Sequence, residues 1–123
     1  CRLPLAALFG APTIERLAEL IRGEGWKSNW GALVPMKPNG KKPPFFCVHA
    51  VGGNVIEYNA LVKHLDSEQP FYGLQALGLD GKSAPLTEIE EMAAAYIKEI
   101  RQIQPEGPFY LGGRSFGGTV AYE

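Results

Sequence analysis

Residues 108–118 read Pro-Phe-Tyr-Leu-Gly-Gly-Arg-Ser-Phe-Gly-Gly, and the fold of the chain turns on how this stretch is read. Pro108–Gly112 is a short, largely apolar run of the kind that forms a buried strand, and Gly117–Glu123 starts a helix. Between them Gly113-Arg114-Ser115-Phe116-Gly117 is a G-x-S-x-G pattern in a strand–turn–helix setting. Such a turn holds its serine in a strained conformation with the hydroxyl presented beyond the strand. Glycines flank it because a side chain at either position would press on the neighbouring strand or helix. Ser115 is thus a candidate nucleophile. The amide of Phe116, at the helix start, is a candidate donor to the oxyanion that forms when a hydroxyl attacks a carbonyl.

Outward from this turn, strands and helices alternate. Pro44–His49 (Pro-Phe-Phe-Cys-Val-His) is an apolar run suited to a strand buried on both faces, and it ends at the glycine-containing loop His49-Ala50-Val51-Gly52-Gly53-Asn54. Tyr58, Leu61, Val62 and Leu65 mark a helix face, Phe71–Ala76 a strand, and Gly78–Gly81 a turn. Thr87 and Glu90 have the spacing of a capping box, followed by an apolar stripe through Ile89, Met92, Ala93, Tyr96, Ile97, Ile100 and Ile103. Pro105-Glu106-Gly107 ends that helix. Ala32–Met36 reads as a further strand before a Pro38-Asn39-Gly40 turn. The alternation predicts an α/β fold, a mostly parallel sheet with helices on both faces.

The first residues are different. Pro12-Thr13 is a helix start, and Ile14, Leu17, Ala18 and Ile21 repeat at helical spacing as far as Gly23. From Gly23 to Gly31 no period of either kind is visible, which predicts a linker in which Trp26 and Trp30 pack locally. Three segments result: 1–23, a linker at 24–31, and 32–123.

Composition bounds the function classes. The 123 residues are 46% hydrophobic, enough for one modest domain or a piece of a larger one, and disorder is disfavoured. Twelve Lys and Arg against 13 Asp and Glu leave a net charge of −1, which excludes nucleic acid and anionic membrane as electrostatic partners. Two cysteines, Cys1 and Cys47, make neither a disulfide scaffold nor a metal-ligand set, and a reducing, cytoplasmic compartment is expected. No apolar run has the length of a membrane span and no signal peptide is visible. A chain that opens at Cys1 without methionine and stops inside a helix is expected to be a fragment.

With the strand 44–49, the glycine loop and the serine turn in hand, residues 33–123 resemble the thioesterase domain that terminates nonribosomal peptide and polyketide synthases. The phrases carrying the resemblance are Pro-Pro-Phe-Phe-Cys-Val-His, Gln-Pro-Phe-Tyr-Gly-Leu-Gln-Ala, Ala-Ala-Ala-Tyr-Ile and Gly-Pro-Phe-Tyr-Leu-Gly-Gly-Arg-Ser-Phe-Gly-Gly. It implies the N-terminal half of an α/β-hydrolase fold. Its serine would take an acyl or peptidyl chain from the phosphopantetheine thioester of a carrier domain and release it by hydrolysis or cyclisation. Ser115 is then the nucleophile, with the amides of Phe116 and Val51 as oxyanion donors and Ala50 as the alternative to Val51. Ala50, Gly52, Gly53 and Arg114 would line the substrate. Ala50 stands where the family usually has proline, and Arg114 fills a variable, often aromatic, position whose plain reading is a solvated arginine at the rim.

Residues 3–21 are similar to the last helix region of a carrier protein, as in a synthase's terminal module; the carrier serine bearing 4'-phosphopantetheine would lie upstream of Cys1. No other cofactor and no metal is implied. In the hydrolase order the triad runs Ser, Asp or Glu, then His, so His49, His64, Asp66 and Asp80, all before Ser115, do not qualify, and the triad Asp and His are absent from this sequence. The remaining alternatives are an esterase or lipase on the same fold, and a catalytically inactive fragment or interaction piece.

Overall fold

Four strands form where short runs of apolar and aromatic residues occur: β1 (Leu33–Lys37), β2 (Phe45–Val48), β3 (Phe71–Leu74) and β4 (Tyr110–Gly113). The computed structural model describes residues 7, 11, 13–22 and 31–123. Trp26, Trp30 and nearly all of the predicted linker lie outside the described residues, as do residues 1–6 and 8–10 of the carrier-like segment. The strands pair in the order β1-β3-β2-β4. β2 runs parallel to both neighbours, with Val48 opposite Leu74 on one side and Gly113 on the other. β1 is antiparallel to β3 and pairs Leu33 with Leu74. The sheet is therefore mixed, with two of its three pairings parallel.

Burial of β2 on both faces follows from its sequence, because successive side chains of a strand point to opposite sides and every residue from Phe46 to Val48 is apolar. Phe46 and Val48 join Tyr72, Leu74, Tyr96, Ile100 and Val120 in one cluster, and Cys47 joins Val34, Val55, Tyr58 and Phe71 in the other. Phe46, Phe71 and Leu74 are fully buried, each worth about 1.5–3 kcal/mol against exposure. The first cluster lies under helices α3 (Ile89–Ile103) and α4 (Phe116–Tyr122). The second lies under a 3-10 turn, Ile56–Tyr58, that runs into α2 (Asn59–His64). The segment that follows β2 thus covers one face, and the helix that follows β4 covers the other. Adjacent parallel strands whose connections leave to opposite faces open a crevice at their C-terminal ends, where ligands of α/β sheets bind.

Helix α1 (Ile14–Arg22) starts where Pro12-Thr13 predicts: Thr13 Oγ1 accepts the Arg16 N–H at 3.2 Å. The start of α3 differs from expectation. Its N-cap is Glu88, in an extended conformation and without a side-chain cap hydrogen bond, so Thr87 and Glu90 form no capping box. The helix begins one residue too late for that pairing, and Glu90 and Glu91 instead place two carboxylates in the first turn, against the positive end of the helix dipole. Among the described residues no helix is long and apolar enough to cross a membrane.

Candidate active site

The register of β2 and β4 puts two loops side by side. Val48 pairs with Gly113, so the loop opening at His49 and the turn opening at Arg114 leave the sheet at one level. Ser115 is exposed and sits at φ 53, ψ −121, and it is the residue other than glycine with a positive φ among those described. Such a conformation costs about 1–3 kcal/mol and persists only where its surroundings enforce it. Here they do. A β-carbon on Gly113 would lie 2.2 Å from the Gly117 carbonyl carbon and oxygen, and one on Gly117 would lie 2.3 Å from the Val48 oxygen. Turn hydrogen bonds from Gly117 N to Arg114 O at 3.0 Å and Gly118 N to Ser115 O at 2.9 Å close the elbow. Phe116 is the first residue of α4, and its ring lies 6.2 Å from that of His49, centroid to centroid.

The facing loop is a tight turn. Gly53 N donates to Ala50 O at 2.9 Å, and Ala76 N donates to Gly53 O at 2.7 Å, which ties the loop to the end of β3. Gly53 adopts φ +77, where L side chains are strained, and a β-carbon there would meet Ala76 Cβ at 3.2 Å. A β-carbon on Gly52 would meet only the Asn54 side chain, Nδ2 at 3.7 Å, an ordinary van der Waals contact. Val51 stands at the tip, 86% exposed, with Ala50 partly buried behind it.

His49 is 3% exposed. Its Nδ1 contacts the Ala50 carbonyl at 2.6 Å, and a carbonyl only accepts, so Nδ1 carries the proton. Nε2 then accepts from the Tyr96 hydroxyl at 2.8 Å, with the two rings edge to face. Both ring nitrogens are engaged within the core. Burial pushes the Tyr96 hydroxyl up to about 12, which keeps it a donor. His64 is exposed and its Nδ1 lies 2.8 Å from Ala60 O in its own helix. Asp66 accepts the Glu68 N–H at 2.7 Å and pairs with Lys42 at 3.0 Å; these partners lower its pKa. Asp80 accepts the Lys82 N–H at 3.0 Å in its turn, and that bond lowers its pKa likewise. Both aspartates serve their turns.

Arg114 is exposed, and its guanidinium is paired with the Glu57 carboxylate of the 3-10 turn, a partner the sequence reading did not supply. Its backbone N–H donates to the Tyr58 hydroxyl at 3.0 Å, which in turn donates to Val48 O at 2.5 Å. Tyr58 entered the sequence reading only as one apolar position of a helix face. Nothing in the periodicity separates a tyrosine held for its ring from one held for its hydroxyl. Among the described residues no group of three or more His, Cys, Asp or Glu is placed to hold a metal ion.

The arrangement, an exposed serine on an enforced turn beside a tight glycine loop, has counterparts among known proteins. A family model described as "Thioesterase domain" matches residues 43–123. Malpibaldin synthetase of Mortierella alpina is 48% identical over 98% of the chain, which spans 2% of that relative's length. The crystal structure of a four-domain nonribosomal peptide synthetase in its holo form, bound to AMP and glycine, matches all of the chain and 9% of its own, with a TM-score of 0.70 at 33% identity. The NocB thioesterase domain from the nocardicin cluster matches 73% of the chain and 40% of its own, with a TM-score of 0.66 at 29% identity.

Proposed function

The chain belongs to the thioesterase domain family, and on that premise we propose that it is part of a nonribosomal peptide synthetase in which Ser115 accepts an acyl or peptidyl chain. The chain would arrive as a thioester on the phosphopantetheine arm of a carrier domain, the partner this reading requires. The observation that carries the proposal is the backbone of Ser115, held at φ 53, ψ −121 by glycines that cannot be larger.

Chemistry follows from that placement. Ser115 Oγ attacks the thioester carbonyl carbon while a base takes its proton, and the carbonyl oxygen becomes an oxyanion that accepts from the amides of Phe116 and Val51, or of Ala50 in place of Val51. The oxyanion collapses, the carbon–sulfur bond breaks, and the base returns its proton to the departing thiolate. Water, or an amine or hydroxyl of the bound chain itself, then attacks the serine ester to give hydrolysis or cyclisation. Each oxyanion donor is worth about 10²–10³ in rate. Ala50, Gly52, Gly53 and Arg114 would border the acyl group.

Neither histidine of the chain suits the base, since His49 is spent on Tyr96 and Ala50 and His64 lies on α2. The base and its orienting carboxylate are assigned to other parts of the synthetase, and the 123 residues alone are an inactive piece. The isolated thioesterase domain matches about three-quarters of the chain and the multidomain synthetase matches all of it, which supports reading residues 1–23 as a carrier tail, 24–31 as a linker and 32–123 as thioesterase. The test is labelling of the full-length protein with a fluorophosphonate and mapping of the adduct by mass spectrometry. The adduct is expected on Ser115, and undiminished labelling of Ser115→Ala overturns the proposal.

A further inference from the structure

We propose that Tyr58 is a positioning residue for acyl transfer, its hydroxyl fixing the spacing between the two backbone segments that supply the oxyanion donors. The inference rests on Ser115 being the nucleophile and deepens that reading. Tyr58 ends the 3-10 turn and is 6% exposed. Its hydroxyl donates to Val48 O at 2.5 Å and accepts the Arg114 N–H at 3.0 Å. Val48 is the last residue of β2, directly before His49-Ala50-Val51, and Arg114 directly precedes Ser115 and Phe116. One hydroxyl therefore joins the strand end that carries one donor to the elbow that carries the other.

The sheet does not make this link. The β2–β4 register ends with Val48 opposite Gly113, one residue short of the elbow, and the tyrosine hydroxyl bridges the two strands where the ladder stops. A bridging water would satisfy both groups but could shift with them. The phenol is fixed by its ring, packed 5.9 Å from Phe71, centroid to centroid, in the cluster that also holds Val55 and Cys47. Burial above all, with the Cys47 contact next, raises the phenol's pKa, so the hydroxyl keeps the proton it gives to Val48. Glu57, the preceding residue of the same turn, holds the Arg114 guanidinium. The turn thus grips residue 114 by both backbone and side chain.

In the full-length protein, Tyr58→Phe keeps the ring and removes the bridge. With active sites counted by fluorophosphonate titration, kcat per site on an acyl-N-acetylcysteamine thioester is expected to fall about 10- to 100-fold with KM within about twofold, because misplaced catalytic groups weaken transition-state binding more than substrate binding. Val55→Ala loosens the same cluster without touching the hydroxyl, and should lower the melting temperature while kcat per site holds. An unchanged kcat per site in Tyr58→Phe, or an equal loss in Val55→Ala, overturns the inference and leaves Ser115 in its role. Labelling that persists in Ser115→Ala instead removes the nucleophile reading and the inference with it. If Tyr58→Phe does not fold, amide exchange in the unmodified protein decides: the Arg114 N–H should exchange as slowly as the amides of β4, and exchange at the rate of an open loop overturns the inference.

Discussion

A β-carbon on Gly117 would lie 2.3 Å from the carbonyl oxygen of Val48, so the helix opened by the serine turn and the end of β2 meet backbone to backbone. Gly113 is as tightly placed, its β-carbon position 2.6 Å from Gly118 N. None of these neighbours is a side chain that can swing aside. Gly117→Ala and Gly113→Ala are each expected to destabilise the domain by about 3 kcal/mol or more, at or beyond the upper end of overpacking effects. Gly52→Ala, whose methyl would make only an ordinary contact with Asn54 Nδ2 at 3.7 Å, should change stability by less than about 0.5 kcal/mol. Thermal melting of the full-length variants checks this, and a Gly117→Ala protein that melts with the wild type sinks it.

This is why the serine turn was legible in the sequence: the need for glycine at 113 and 117 is local sterics, and the pattern states it outright. The apolar stripe of α3 was legible for a similar reason, since Tyr96 and Ile100 fall on the buried face that a 3.6-residue period predicts. The ends of that helix were less so, because Thr87 and Glu90 have capping-box spacing but the backbone turns helical only after Glu88. Strand order was out of reach: β1 next to β3 rather than β2 depends on pairings across tens of residues that no local period encodes. The same applies to polar links such as Tyr58 to Arg114, 56 residues apart, and His49 to Tyr96, 47 residues apart.

Gly53→Val should impair turnover more than binding. The glycine's φ of +77 strains any β-branched residue, and the 3.2 Å approach of Ala76 Cβ crowds its β-carbon, so the turn is expected to change shape and carry the Val51 and Ala50 amides with it. Loss of one oxyanion donor lowers kcat by about 10²–10³ while KM changes little. A folded Gly53→Val enzyme with wild-type kcat would show that this loop does not line the site.

The buried tyrosine at position 96 makes stability depend on alkaline pH. Its pKa is raised from 10.0 to about 12 by burial, so the unfolded chain gives up this proton before the folded one does. The resulting contribution to stability is complete below pH 10.0 and is lost as pH rises through about 12. Tyr96→Phe is expected to be less stable than wild type at neutral pH by about 1–3 kcal/mol, because His49 Nε2 loses its buried donor. The gap in melting temperature between the two proteins should narrow above pH 10.0. A gap that stays constant to strongly alkaline pH contradicts the account.

The 123-residue chain by itself should not turn over thioesters, although it contains Ser115. Attack requires an imidazole to take the hydroxyl proton and a carboxylate to orient that imidazole. None of the eight residues after Ser115 is histidine, and His49 has its nitrogens committed to Ala50 O and the Tyr96 hydroxyl. Freeing Nε2 would mean breaking a buried hydrogen bond 2.8 Å long and turning the ring out of the core under Phe116. The elbow and the glycine loop could still polarise a bound carbonyl, but without a proton acceptor the hydroxyl is too weak a nucleophile at neutral pH. The purified chain, assayed with an acyl-N-acetylcysteamine thioester, is expected to match its Ser115→Ala variant at background rate. Repeated turnovers that depend on Ser115 would show that a base exists within these residues, and His49→Gln would then identify it or exclude it.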